Sequence, residues 1–142
     1  MQPVEKWYRA MTAGISSSWD ELLDDDVVFH SPVVFTPQKG KKVTKIYLLA
    51  AARVLGMGPG VPTSQSKEGT TSGFRYVNEI IGEKSASLEF ESQIEGTYVN
   101  GVDLLSWNKS GRLTKVKVLI RPLQAVNLLH KQMQAMLEVK SF

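Results

Sequence analysis

Apolar residues recur at helical spacing near both ends of the chain and once in its middle, and at strand spacing through most of its second half. From Pro3 onward, Val4, Trp7, Tyr8, Met11 and Ile15 fall on one side of a helix; proline is tolerated in a first turn, and Gly14 marks the stop. Ser18 before Trp19, Asp20 and Glu21 reads as the cap of a short helix ending at Leu23, with Asp24, Asp25 and Asp26 as the turn after it. Residues 27–35, VVFHSPVVF, are β-branched and aromatic, but Pro32 cannot donate to a central ladder, so they predict a short hairpin or bent strand pair. After the turn TPQKGKK, the apolar positions Ile46, Leu49, Ala50 and Val54 predict a second long helix over 43–55, terminated by Gly56.

Residues 56–73, GMGPGVPTSQSKEGTTSG, are the one compositional break, a long loop that is either an insertion without a role or a lid over a pocket mouth. Four strand-like runs follow, over 74–81, 85–94, 98–107 and 113–121, joined by hairpin-sized connections that predict an antiparallel meander. Pro122 opens a terminal helix whose stripe of Leu123, Val126, Leu129, Met133, Met136 and Leu137 must cover a pocket or a partner subunit. The pattern is that of an α+β domain with N-terminal helices, a long antiparallel meander and a C-terminal helix.

Composition narrows the chemistry. At 142 residues the chain fits one domain spanning 1–142, with 42% hydrophobic and 22% charged residues. It has no cysteine, which removes disulfides, thiol nucleophiles and thiolate metal sites. The net charge of +3 is small and its lysines are scattered, which argues against nucleic acid as a partner. No apolar run reaches membrane-span length, and MQPVEKWYRAM carries charges where a secretory signal needs an apolar core; no membrane association and a cytoplasmic location are expected. The three consecutive aspartates diverge and the two histidines lie far apart, so no metal is expected, and GMGPG lacks the strand–helix context of a phosphate loop. No cofactor is implied.

Two phrases carry a resemblance. LLDDDVVFHSPVV looks like the segment from short helix to first strand of the nuclear transport factor 2-like (NTF2-like) superfamily, and VNGVDLLSWNKSGRLTKVKVLIRPL looks like its last two strands. That superfamily includes SnoaL-type polyketide cyclases, ketosteroid isomerases and limonene epoxide hydrolases. The resemblance implies a cone-shaped, cystatin-like roll in which a strongly curved antiparallel sheet wraps around the N-terminal helices, with a C-terminal helix, to enclose a pocket, and a homodimer formed through the outer sheet face. Within that frame Leu88, Phe90, Ser92 and Ile94 point inward while Glu89, Glu91 and Gln93 point outward; Val116, Val118 and Ile120 point in, and Lys115, Lys117, Leu119 and Arg121 out. Glu89 or Glu91 paired with Lys115 or Lys117 would then be either solvated ion pairs or the register of the dimer.

Asp103 is the leading candidate for chemistry. It alternates with Gly101, Leu105 and Trp107 on a face suited to the interior, where burial raises a carboxyl pKa and makes it a proton donor or general acid/base near neutrality. It also matches the position at which ketosteroid isomerases carry a protonated aspartate. The rest of that constellation departs: the position of the catalytic base is Ser31, and that of the oxyanion tyrosine falls on Trp7, with Tyr8 one position off. The last strand, KVLIRPL, also lacks the aspartate that epoxide hydrolases use. His30 is a second titrating candidate, as general base or as a satisfied structural histidine, although strand alternation puts it opposite Phe29 and Ser31.

The expected pocket lining is Trp7, Tyr8, Phe29, Ser31, Phe35, Leu49, Phe74, Leu88 and Phe90, suited to a small hydrophobic or aromatic ligand oriented by Asp103. Three functions stay open: such a binding domain, a cofactor-free isomerase, cyclase or lyase using Asp103 with His30 or one of Tyr8, Tyr76 and Tyr98, and an interaction module whose core is filled.

Overall fold

The computed structural model describes residues 2–13, 16–56 and 73–140. In chain order the elements are α1 (Pro3–Ala13), α2 (Ser16–Leu22), β1 (Leu23–His30), β2 (Gln38–Lys39), α3 (Lys41–Val54), β3 (Arg75–Ile81), β4 (Ser85–Ile94), β5 (Thr97–Trp107), β6 (Leu113–Arg121) and α4 (Leu123–Lys140). The expected loop at 56–73 lies, apart from Gly56 and Gly73, outside the described residues.

One curved six-stranded sheet has the order β2-β1-β6-β5-β4-β3. The β3–β4–β5–β6 meander is antiparallel, as its short turns require. β1, by contrast, runs parallel to β6, because it reaches the sheet from the N-terminal helices rather than through a hairpin. The helices cover one face: α3 packs on β1 and α4, and α4 reaches across β6, β5 and β4.

Alternation decides the faces. In β4 every second residue from Ala86 to Ile94 is buried, while Ser87, Glu89, Glu91 and Gln93 are half-buried on the outer face. β5 buries Gly101, Asp103, Leu105 and Trp107 in the same phase. β3 breaks the rhythm: a bulge between Tyr76 and Asn78 leaves Tyr76 opposite Phe90 but Glu79 opposite Leu88.

Several local expectations are corrected. Asp24, Asp25 and Asp26 belong to β1, in a stretch where the ladder to β6 skips from Leu23 to Val28. Asp24 accepts from the Asp26 amide and from Asn108 Nδ2, so the irregular backbone is satisfied locally. No hairpin spans 27–35: β1 stops at His30, the Ser31 hydroxyl oxygen accepts from the Val33 amide at 3.1 Å, and the chain leaves the sheet at Pro32. α3 starts at Lys41, two residues before the sequence reading. The pairing of Glu89 or Glu91 with Lys115 or Lys117 does not form, because β5 lies between β4 and β6; Glu91 instead meets Arg75 of β3 at 2.8 Å.

Candidate functional site

α1 sends Trp7 into the core, where it is fully buried and held edge-on by Trp19 of α2, with ring centroids 5.3 Å apart. Between this helix and the inner sheet face lies a cavity of about 30 Å³, space for a water and far below a drug-sized ligand. Trp7 and Met11 of α1, Phe29 of β1, Leu48 and Ala51 of α3, Phe90 of β4, Val118 and Ile120 of β6, and Leu129 and Met133 of α4 line it, together with Pro32, Leu55 and Phe74. Ser31 and Asp103 are its polar side chains.

Asp103 stands between Leu88 and Val118 on the inner face and is 3% exposed. Tyr76 donates its hydroxyl to Asp103 Oδ2 at 2.9 Å, and Trp7 Nε1 donates to the Tyr76 oxygen at 2.9 Å. Burial pushes the Asp103 carboxyl up to about 7, against the opposing effect of the Tyr76 hydrogen bond. The Tyr76 phenol is pushed well above its ordinary value by burial and by the adjacent Asp103 charge, so it remains a donor. Tyr8 packs on Tyr76 with centroids 4.9 Å apart, bonds Glu79, and is likewise raised, chiefly by burial and then by that bond.

Phe90 lies stacked on Phe74, 4.7 Å between centroids. It can do so because Gly101 has no side chain: a Cβ there would stand 2.4 Å from Phe90 Cζ and 2.7 Å from the Leu119 carbonyl oxygen. Ser92 donates to the Leu55 carbonyl at 2.6 Å and ties the end of α3 to β4.

The structure brings Trp7, Phe29, Ser31, Phe74, Phe90 and Asp103 to one cavity and leaves the other expected residues elsewhere. Leu88 is fully buried on the same face but packs in the core. Leu49 is half-buried and turned aside on α3, whose Leu48 and Ala51 occupy the wall. Tyr8 stands behind Tyr76. Phe35 is 100% exposed, since the chain has left the sheet by then.

His30 is on the outer face beside Lys117, and burial together with Lys117 and Lys115 lowers its pKa. It therefore makes no acid/base pair with Asp103. Tyr76, one of three tyrosines open as assistants, is the one that touches Asp103; its partnership with Trp7 had no sequence signal except an aromatic at the start of a strand.

Among the described residues no group of three His, Cys, Asp or Glu side chains could hold a metal ion, and no helix is long and apolar enough to cross a membrane.

No protein-family model matches the chain, and no curated protein matches it either. Solved structures do. An uncharacterized bacterial protein with a cystatin-like fold from Silicibacter pomeroyi superposes with a TM-score of 0.82 at 23% identity, over 98% of this chain and 87% of that one. A steroid delta-isomerase from Pseudomonas aeruginosa gives 0.81 at 21% identity, over 97% and 90%. An NTF2-like protein of unknown function from Cytophaga hutchinsonii gives 0.59 at 13% identity, over 87% and 91%.

The chain has the NTF2-like fold. At these identities the likeness extends to the fold and no further. Ser31, expected in the pocket lining, does line the cavity, and its oxygen accepts the Val33 amide. The Asp103 carboxyl lines the cavity.

Proposed function

We propose that the protein binds a small hydrophobic or aromatic molecule in the cavity between α1, α4 and the inner sheet face, oriented by Asp103. The observation that carries this reading is the Asp103 carboxyl itself: it lines an otherwise apolar, aromatic-walled cavity, and Tyr76 is its one hydrogen-bond partner among the described residues. A buried carboxyl left with unused bonding capacity costs stability, and a polar group on a ligand would use that capacity. At about 30 Å³ the cavity admits such a ligand by displacing Met11 and Met133, the flexible side chains of its wall.

The same carboxyl, titrating near 7, could move a proton, which is what a cofactor-free isomerase, cyclase or lyase would require of it. Against this reading, Ser31 and Asp103 are the polar groups of the lining and His30 is on the outer face, so among the described residues no separate base faces a substrate. Binding is the reading the geometry supports better. Soaking crystals with bromobenzene tests it: halogen density between Trp7 and Phe90, beside Asp103, is expected, and a wall with Met11 and Met133 unmoved at saturating additive would overturn it.

The narrow cavity favours one further reading, an interaction module whose partner is a second copy on the outer sheet face. On that face Lys39, Lys115 and Lys117 lie towards β2, β1 and β6, Glu89 and Glu91 lie on β4 with Glu91 paired to Arg75 of β3, and Tyr98 and Leu119 are exposed between them. Two copies turned antiparallel would set basic strands over acidic ones. Sedimentation of the wild type and of Lys117→Glu tests this; a monomer at micromolar concentration in both would overturn it.

A further inference from the structure

The apolar side chain that the core leaves wholly in water is Phe35, with Val34 exposed beside it, at the tip of the loop 31–37 that joins β1 to β2. Pro32 and Pro37 bracket the tip and fix φ on either side of it, so it has less conformational freedom to lose on docking. The feet of the loop are basic: His30 ends β1 on one side, and Lys39 belongs to β2 on the other. Through the ladder Lys39 lies level with Val28 and Lys115, and His30 lies beside Lys117, so three lysines share the outer face at the base of the tip.

Like charges set this close repel, and no carboxylate of the described residues answers them. Lys39, Lys115 and Lys117 make no ion pair there; Asp25 is taken by Lys41, and Asp26, two residues before Val28 on the same strand, pairs with none of the three. The lowered proton affinity of His30 agrees, since after burial its causes are Lys117 and Lys115 and no acid. A second copy laid on the sheet would meet the lysines with carboxylates already bonded, Glu91 to Arg75 and Glu89 to Asn100, and would leave uncovered a ring that stands beyond the strands. A stable protein partner needs a patch of roughly 800 Å² a side, and two apolar side chains on a protruding tip do not make one. A lipid surface needs only the protruding ring and a positive border.

We propose that the protein docks on anionic lipid bilayers through this loop and the sheet face at its base, with Phe35 and Val34 entering the boundary between headgroups and acyl chains and Lys39, Lys115 and Lys117 facing the lipid charge. The expectation of no membrane association came from the lack of a span, which such docking does not require; none of the described helices is long and apolar enough to be one. Ser31 and Pro32 of the same loop line the cavity, so docking sets the cavity against a reservoir of apolar molecules. Docking does not rest on the binding reading above: a protein that holds no ligand would still pellet with vesicles.

The test is co-sedimentation of the full chain with vesicles of phosphatidylcholine alone and of phosphatidylcholine mixed with phosphatidylglycerol. Binding to the mixed vesicles only is expected, falling steeply between about 0.1 M and about 0.5 M salt. Phe35→Ser should bind about tenfold more weakly with an unchanged Tm, and Lys39→Gln and Lys115→Gln about fivefold more weakly each. In Phe35→Trp the added indole should shift to the blue on mixed vesicles and be quenched by lipids brominated on their acyl chains. No pelleting with mixed vesicles, equal binding by Phe35→Ser, or an indole unmoved by lipid would overturn the proposal. So would a dimer of the free protein that Phe35→Ser dissociates, since the ring would then belong to a second copy.

Discussion

On the inner face of the sheet Leu88, Phe90 and Ile94 of β4 lie beside Gly101, Asp103 and Leu105 of β5, all buried; on the outer face the residues between them are Glu89, Glu91, Gln93, Val102 and Leu104, each half-buried. The same two strands thus hold one carboxyl inside and two outside, and Asp103 and Glu91 behave oppositely. Glu91 is lowered by its bonds to Arg75 and Tyr98, in reach of water. Asp103 is raised by loss of water, which its bond from Tyr76 only partly offsets. A carboxyl's chemistry here is set by the side of the pleat on which it falls rather than by its residue type.

The largest expected effect breaks the inner half of this contrast. The native state holds the Asp103 proton up to about 7, against 3.8 for the free side chain, so between these values the folded protein binds more protons than the unfolded chain and stability falls as pH rises. The loss is roughly 4 kcal/mol across that window and is complete above it. Asp103→Asn cannot ionise; denaturant titrations should find its stability flatter than wild type over the same pH range, and a parallel pair of profiles would sink the assignment.

Gly101→Ala comes next. Its Cβ meets the Phe90 ring and the Leu119 carbonyl, and the carbonyl cannot move without the strand. Overpacking of this kind costs about 1–3 kcal/mol, read as a lowered Tm, with the Phe90 ring pushed towards the cavity.

The outer face should respond far less. Arg75→Gln removes the ion pair to Glu91, with Arg75 60% exposed, and an exposed pair is worth under about 1 kcal/mol, further reduced by salt. Smallest of all is Phe35→Ser: a fully exposed ring should leave Tm unchanged, within about 0.5 kcal/mol. A clear destabilisation there would mean that residue 35 packs in solution.

These effects map onto what the sequence made legible. β4 and β6 follow from alternation and turn spacing alone, with the bounds Ser85–Ile94 and Leu113–Arg121 as expected. So does the burial of Asp103, because its neighbours in phase are Gly101, Leu105 and Trp107. Phe35 misled because hydrophobicity was read across Pro32, where the chain turns away from the sheet. Leu49 misled because neighbouring helical positions differ by about 100° in direction, so that Leu48 and Ala51 reach the wall and Leu49 does not. The order of the meander followed from its short turns, but the place of β1 was not legible: its parallel joining to β6 is encoded by no local pattern.

The bulge in β3 carries a consequence of another kind. A uniform ladder has no mark along its length, and a strand can slide in it until some side chain objects. With one residue more than its partner at Val77, β3 has a tooth that fits a single notch, and Tyr76 and Glu79 are both brought to the side where Tyr8 waits. The meeting of Tyr76 with Asp103 is in this sense indexed by the backbone before any hydrogen bond forms.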